Sequence, residues 1–501
     1  MDSAPEKISA FDKRVKRQVI GKPHRFLAVV PLGFEQTFVQ EMFRRETRDE
    51  RRENDSRHPE PQSGEGSSPK NITYNIIGDG KVEFTAKLVE AWKIVAFSRI
   101  ANRVLMHIAD FKAENFRDLE RKASEIPWEL FLPNERSVHI HVTCKHSRLY
   151  HSDAVAERLQ KVIEGGSAPL AAASSSFRPP SRNLAEASAT PSAGAPRNAP
   201  KAEENVPPQN IYVTLIDDRC TVWLDLAGEE LYKRGHERFV NDAPLKETIA
   251  AAMLFESIST LHIIHHQSSI INYPLSIALI DPMSGSGTFS LEAAYMANGF
   301  IPGKCRDFAL KHQPAFKQAT WDFLIRRETR DERREKGNNI LKIVTSDISE
   351  RAVEIIQHNV ECCPLAKSTT GEQAAPTVNP QHRDFFSYTA AEIADACPEG
   401  SSPVIVLNPP YGKRLDFDAP KLYTKIGKKL AELARELAPL GNALTVAILA
   451  PKDDPRPGSK YTCTANLLRE CPALDAAKNR DAKCIVTSHG GLSLNAIFAR
   501  I

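Results

Sequence analysis

Apolar and polar positions divide the chain into three successive patterns. A short apolar run from Phe26 to Val30 predicts a strand. Phe34, Phe38 and Met42 then recur at four-residue spacing, which predicts an amphipathic helix over 33–46. Strands at 71–77 and 81–85 flank the turn sequence Gly78-Asp79-Gly80. A helix over 86–98 and a strand over 103–109 complete a split β-α-β-β-α-β order. Alternation resumes at 137–143, where Val138, Ile140 and Val142 share one face. A helix over 153–163 follows Ser152 as a cap candidate, and strands at 211–216 and 221–226 complete a second α+β unit.

From residue 244 the pattern changes again. A helix over 244–260, with Pro244 in its first turn, leads into alternating apolar strands and helices: strand 276–281, helix 288–298, strand 341–346, helix 349–360, a strand near 380–385, strand 404–407, helix 420–437 and strand 443–450. Wholly apolar strands between helices predict a parallel, doubly wound α/β sheet. Segments near 482–487 and 494–500 predict a closing antiparallel hairpin. In open sheets of this kind a ligand sits beyond the carboxyl ends of the strands.

Three stretches stand outside these patterns. Residues 1–23 are polar, with a basic cluster at Lys13, Arg14, Lys16 and Arg17, and are expected to be a mobile tail. Residues 165–208 hold eight prolines and eleven alanines with almost no large apolar side chain, so they cannot bury a core and are expected to be disordered. Deleting 167–206 should therefore change little. The decapeptide from Arg44 to Glu53 recurs letter for letter from Arg326 to Glu335. Identity in two unrelated contexts is not a fold requirement, and the peptide is expected to be helical where it extends a neighbouring helix.

Composition limits the function classes. At 501 residues the chain holds several domains, and its mean hydropathy of −0.36 is that of a water-soluble protein. Net charge is only +3, so any nucleic-acid surface must be a local patch. The start is polar, without the apolar core of a secretory signal. The most apolar stretch, 261–280, carries histidines and a proline and does not read as a membrane span. Nine scattered cysteines without a Cys-x-x-Cys spacing point to a reduced, metal-free, cytoplasmic protein.

The candidate chemistry lies at two predicted strand tips. Asp281-Pro282-Met283-Ser284-Gly285-Ser286-Gly287-Thr288 joins a strand to a helix. Its glycines let the backbone pass close under a ligand, and the helix start offers free N–H donors. Asp281 suits a ligand bearing an amine or hydroxyls rather than a pyrophosphate. Asn408-Pro409-Pro410-Tyr411 ends the second strand. Two prolines remove two donors and leave carbonyls beside an amide and an aromatic ring, a set suited to a planar base with an exocyclic amine. Asp347, with Ile348, follows the next strand and is placed to accept ribose hydroxyls; the sixty residues from Gly287 exceed the usual spacing of about 20. Asp384 is a candidate for the adenine amine, with Phe385 beside the ring.

These two motifs resemble the S-adenosylmethionine (SAM) and target-amine sites of class I amino-methyltransferases. With Gly80–Phe84, Phe97–Arg103, Asp225–Gly228, Arg234-Gly235 and Pro244–Thr248, the chain resembles the THUMP-domain ribosomal RNA guanine-N2 methyltransferases over most of 24–300 and 340–415. The resemblance implies a tail at 1–23, a ferredoxin-like domain at 24–110, an RNA-binding THUMP domain at 111–240 and a Rossmann-like methyltransferase domain at 241–501. It implies SAM as cofactor, large-subunit (23S) ribosomal RNA as partner, and neither metal nor membrane. Lys145, His146, Arg148, Lys233 and Arg234 are candidates for RNA contact. The same chemistry on tRNA guanine or on adenine N6 of DNA, and a non-catalytic ribosome-assembly role, remain open alternatives.

Overall fold

The computed structural model describes residues 9–55, 72–133, 137–165, 208–236, 238–240, 244–265, 276–334, 340–365, 377–411, 418–456 and 462–501. The predicted disordered insert, apart from its edges, lies outside them. The chain forms two compact units, one of residues 1–107 with 225–501 and one of 108–224.

The first unit opens on α1 (Ala10–Val15), capped by Ser9, whose side chain accepts the Asp12 N–H, and a π-helical turn over Lys16–Ile20. Val15 and Val19 are buried, so this part of the expected tail is ordered by its two apolar side chains among the charged ones. β1 (Pro23–Val29), α2 (Glu35–Asp55), β2 (Tyr74–Gly78), β3 (Lys81–Lys87), α3 (Leu88–Phe97) and β4 (Arg103–Lys112) follow. Antiparallel pairing puts the strands in the order β4-β1-β3-β2, the ferredoxin-like arrangement.

The second unit contains α4 (Phe116–Ser124), which the sequence pattern did not announce, then β5 (Val138–Lys145), α5 (Ser152–Gly165), β6 (Gln209–Ile216) and β7 (Arg219–Asp225). β5 runs parallel to β6, and β7 antiparallel to it. Val155, Leu159 and Ile163 of α5 pack with Ile211, Val213 and Leu215.

The chain then returns to the first unit through α6 (Glu247–His265), β8 (Ser276–Asp281), α7 (Thr288–Ala297), α8 (Gln318–Arg334), β9 (Ile340–Asp347), α9 (Glu350–Cys362), β10 (Pro380–His382), α10 (Ala390–Asp395), β11 (Ser401–Leu407), α11 (Ala419–Leu437), β12 (Thr445–Pro451), α12 (Cys463–Glu470), β13 (Ala482–His489) and β14 (Leu492–Arg500). The sheet order is β10-β9-β8-β11-β12-β14-β13. β10, β9, β8, β11 and β12 are parallel, and β14 and β13 form the antiparallel closing hairpin. The fold is thus a doubly wound Rossmann-like sheet preceded by α+β elements.

The described residues of 24–107 belong to the same unit as this sheet. Thr37 Oγ donates to the buried Glu256 at 2.5 Å, the Arg44 guanidinium lies 4.3 Å from the Phe255 ring, and Arg99 donates to the carbonyls of Tyr295 and Phe300. The repeated decapeptide lies in helices, residues 44–53 in α2 and 326–334 in α8, and Arg45 of the first copy pairs with Glu328 of the second at 2.7 Å.

Arg234 departs from its expected role in RNA contact. It is fully buried, its guanidinium donating to both carboxylate oxygens of Glu292 (2.9 and 3.2 Å) and to the carbonyls of Leu231 and Arg99. Each of its three nitrogens donates inside the protein, so this arginine fastens its own segment to α7. Arg234→Ala should lower unfolding stability by about 3 kcal/mol, because it leaves the buried Glu292 with only the more distant Arg99 at 3.7 Å; urea unfolding checks this.

Candidate functional site

The Gly-rich turn between β8 and α7 is held open by its two glycines. Gly285 has φ +56° and Gly287 +77°, left-handed conformations that other residues adopt at a cost. A Cβ on Gly287 would also press on Ile356 at 3.1 Å. Ser284 Oγ donates to the Ser346 carbonyl at 2.7 Å, and Asp347 Oδ2 accepts the Gly285 N–H at 2.8 Å while its Oδ1 accepts the Ser349 N–H at 2.9 Å. Strand β9 therefore shapes the turn of β8 as well as ending beside it.

A second clamp comes from residues that no sequence pattern singles out. Arg238 donates to Ser286 O and Oγ (both 3.2 Å) and to Thr288 Oγ at 2.6 Å, and pairs with Glu247 of α6. Asn359 donates to the carbonyls of Ser286 and Phe239. No motif marks this pair, because the contacts span 48 and 73 residues of chain.

Asp281 ends β8 fully buried. Its Oδ2 accepts from Ser290 N–H and Oγ (3.2 and 2.7 Å), and Thr345 Oγ donates to Ser290 Oγ at 2.8 Å. Its Oδ1 is buried without a hydrogen-bond partner among the described residues. Burial pushes the carboxyl pKa up to about 7, with Ser290 opposing the shift. A buried carboxylate with one free oxygen fits a cationic or donor-rich ligand group.

Asn408, directly after β11, is in the same condition, its Oδ1 buried without a hydrogen-bond partner among the described residues. Ile280 is in register with Ile405 on one side, and Asp281 with Thr345 on the other. Asn408 and Asp347 therefore each stand two residues beyond the level of Asp281, on strands flanking it, about 10 Å apart at two strand spacings. Pro409 is buried and Pro410 exposed. Tyr411 is half-buried, its hydroxyl 3.3 Å from His489 Nδ1 at the tip of β13, and burial pushes its pKa up to about 12. Burial, reinforced by Lys246, holds the His489 pKa below its usual value. His489, 78 residues from Tyr411, was invisible in the sequence. Removing this one hydrogen bond by His489→Phe should lower turnover about fivefold, read as kcat.

Ile348 carries a largely exposed apolar side chain (66%) directly after Asp347, which is the character of a face on which a ring can lie. Pro282 is buried and Met283 packs against the core below. Asp384 caps the turn after it, accepting the Phe386 N–H at 3.0 Å. Phe385, expected beside the adenine ring, is 2% exposed and packs with Ile280, Tyr388 and Ile405. Lys145 and His146 are exposed; Arg148, also exposed, pairs with Glu114 and lies 3.7 Å from Asp218. Lys233 pairs with Glu229 at 2.9 Å. Among the described residues no group of three or more His, Cys, Asp and Glu could hold a metal ion, and no helix is long and apolar enough to cross a membrane.

This fold and these strand tips define a Rossmann-like methyltransferase domain. Residues 276–447 match the family described as RMKL-like, methyltransferase domain. The chain is similar to the ribosomal RNA large subunit methyltransferase K/L of Psychromonas ingrahamii, 27% identical over 360 residues, covering 70% of this chain and 40% of that protein. It is 26% identical over 357 residues to a candidate RNA methyltransferase of Synechocystis sp., covering 71% and 78% respectively. The chain thus spans about two fifths of the K/L relative. Among solved structures, a candidate methylase from Clostridium difficile 630 shares the fold at TM-score 0.63 and 19% identity, covering 96% of this chain and 98% of that one. SMU.472, a candidate methyltransferase solved with SAH, does so at TM-score 0.61 and 20% identity, covering 95% and 98%.

Proposed function

We propose that the protein is a SAM-dependent methyltransferase that modifies the exocyclic N2 amine of a guanine in large-subunit ribosomal RNA, in the cytoplasm. The observation that carries this reading is the buried, unpartnered Oδ1 of Asn408 beside two prolines: an acceptor set with no donor of its own. The relatives named for RNA and large-subunit RNA methylation support the choice of substrate.

The cofactor fits the residues present. The free Oδ1 of Asp281 answers an amine, Asp347 the ribose hydroxyls, the Gly285–Gly287 turn a close-lying chain, Ile348 the adenine face and Asp384 its amine. When bound, SAM supplies a methyl already activated by its sulfonium. The protein has to align the amine. Asn408 Oδ1 and the Pro409 carbonyl accept its two N–H bonds, which favours the pyramidal nitrogen that attacks. Pro409 and Pro410 keep the turn rigid, and Tyr411, held toward His489, stacks on the base. A base-paired guanine cannot offer this amine, so the target is flipped or unpaired. Residues 108–224, with Lys145, His146 and Arg148, serve as the RNA-placing unit, through phosphate and shape contacts rather than base reading.

The test is incubation with tritiated SAM and deproteinised large-subunit RNA, tRNA or duplex DNA, followed by nucleoside analysis. The expected product is N2-methylguanosine in the ribosomal RNA. Label in N6-methyladenosine of DNA, or preferential labelling of tRNA, would overturn the substrate assignment.

A further inference from the structure

Some exposed helix cations in this chain are answered by acids: Arg121 pairs with Glu125, Arg158 with Glu120 and Lys161 with Glu157. The first half of α11 carries three on one face that are not. Lys421, Lys425 and Lys428 are exposed, and none has an ion-pair partner among the described residues. Their neighbour Lys429 is instead buried and takes Glu432 at 2.8 Å. Spacings of four and three residues place the three ammonium groups within about 60° of one helix face and along about 10 Å. The opposite face, with Tyr423, Ile426, Leu430 and Leu433, is in the core.

Helix physics gives no reason for this stripe. Cations near a helix N-terminus oppose the macrodipole, and Lys421 over Lys425 is a like-charge pair. Their exposed ammonium groups are left to solvent and to any anion that approaches this face. α11 is the next helix after Asn408–Tyr411, and in a parallel sheet its N-terminal end lies on the edge where β11 ends. The stripe thus begins on the side of the sheet that carries the amine acceptor.

We propose that Lys421, Lys425 and Lys428 form a phosphate track that binds the sugar-phosphate backbone of single-stranded RNA flanking the target nucleotide. The proposal rests on the RNA methyltransferase reading above and adds a substrate-holding surface on the catalytic domain itself. Mobile ammonium groups at this spacing answer successive phosphates without reading bases, and an unpaired target has single-stranded neighbours to be held.

The full chain is compared with the Lys421→Ala/Lys425→Ala/Lys428→Ala variant and with the corresponding triple arginine variant. RNA affinity is measured at several salt concentrations, with KM for ribosomal RNA and SAM affinity by calorimetry. In the alanine variant the slope of log affinity against log salt should fall by about 2, at about 0.7 per lost phosphate contact. KM for RNA should rise about tenfold, SAM affinity should hold, and arginine should restore both RNA readouts. A wild-type chain that methylates RNA, with an alanine variant keeping its slope and KM, overturns the track and leaves the methyltransferase reading standing. A wild-type chain that neither binds nor methylates RNA overturns the underlying reading, and the track with it.

Discussion

Asn408→Ala is expected to lower turnover by about 100-fold or more while SAM affinity stays at the wild-type value. The side chain follows β11 with its Oδ1 buried and unpartnered among the described residues, so no hydrogen bond of that oxygen to them is lost when it is removed. The loss is of an acceptor that acts only when the target amine begins to attack, and an interaction of that kind appears in kcat rather than in cofactor binding. Single-turnover methylation of ribosomal RNA and SAM calorimetry on the same preparation separate the two. Methylation near the wild-type rate would remove Asn408 from the chemistry. A parallel loss of SAM affinity would place it in the cofactor site instead.

The second large effect belongs to Asp281. Asp281→Asn should weaken SAM binding by about 10-fold to 100-fold, the scale of one hydrogen bond to a charged group. Asparagine is the informative replacement because it still offers an acceptor to Ser290 N–H and Oγ. Alanine would leave both buried donors bare and confound folding with binding. The same carboxyl gives SAM binding a pH dependence. Burial raises its pKa to about 7, and the amine of SAM is answered by the ionised form. SAM affinity should be flat above pH 7 and fall by up to about tenfold per unit below it, because protonation competes with the ligand. In Asp281→Asn that slope should vanish. A wild-type affinity independent of pH from about 5.5 to 8 would show that the carboxylate does not meet a charged group of the ligand.

The sequence by itself determined the period of each segment and the chemistry of its ends. Apolar runs at 276–281 and 404–407 could only be buried strands, and the motif closing each is too specific to be filler: glycines where φ is positive, and prolines where donors must be missing. The doubly wound sheet, its hairpin and the ferredoxin-like front were legible for the same reason, since local periodicity carries them. Tertiary structure decided everything that depends on partners distant in the chain. Arg234 reads as a surface cation until Glu292 is placed against it, 58 residues away. Val15 and Val19 look incidental in a charged tail, yet two buried side chains are enough to order a turn of helix on an existing surface. Arg238, Asn359 and His489 reach the site over 48, 73 and 78 residues. Charge and burial are properties of the neighbourhood, and only folding assembles the neighbourhood.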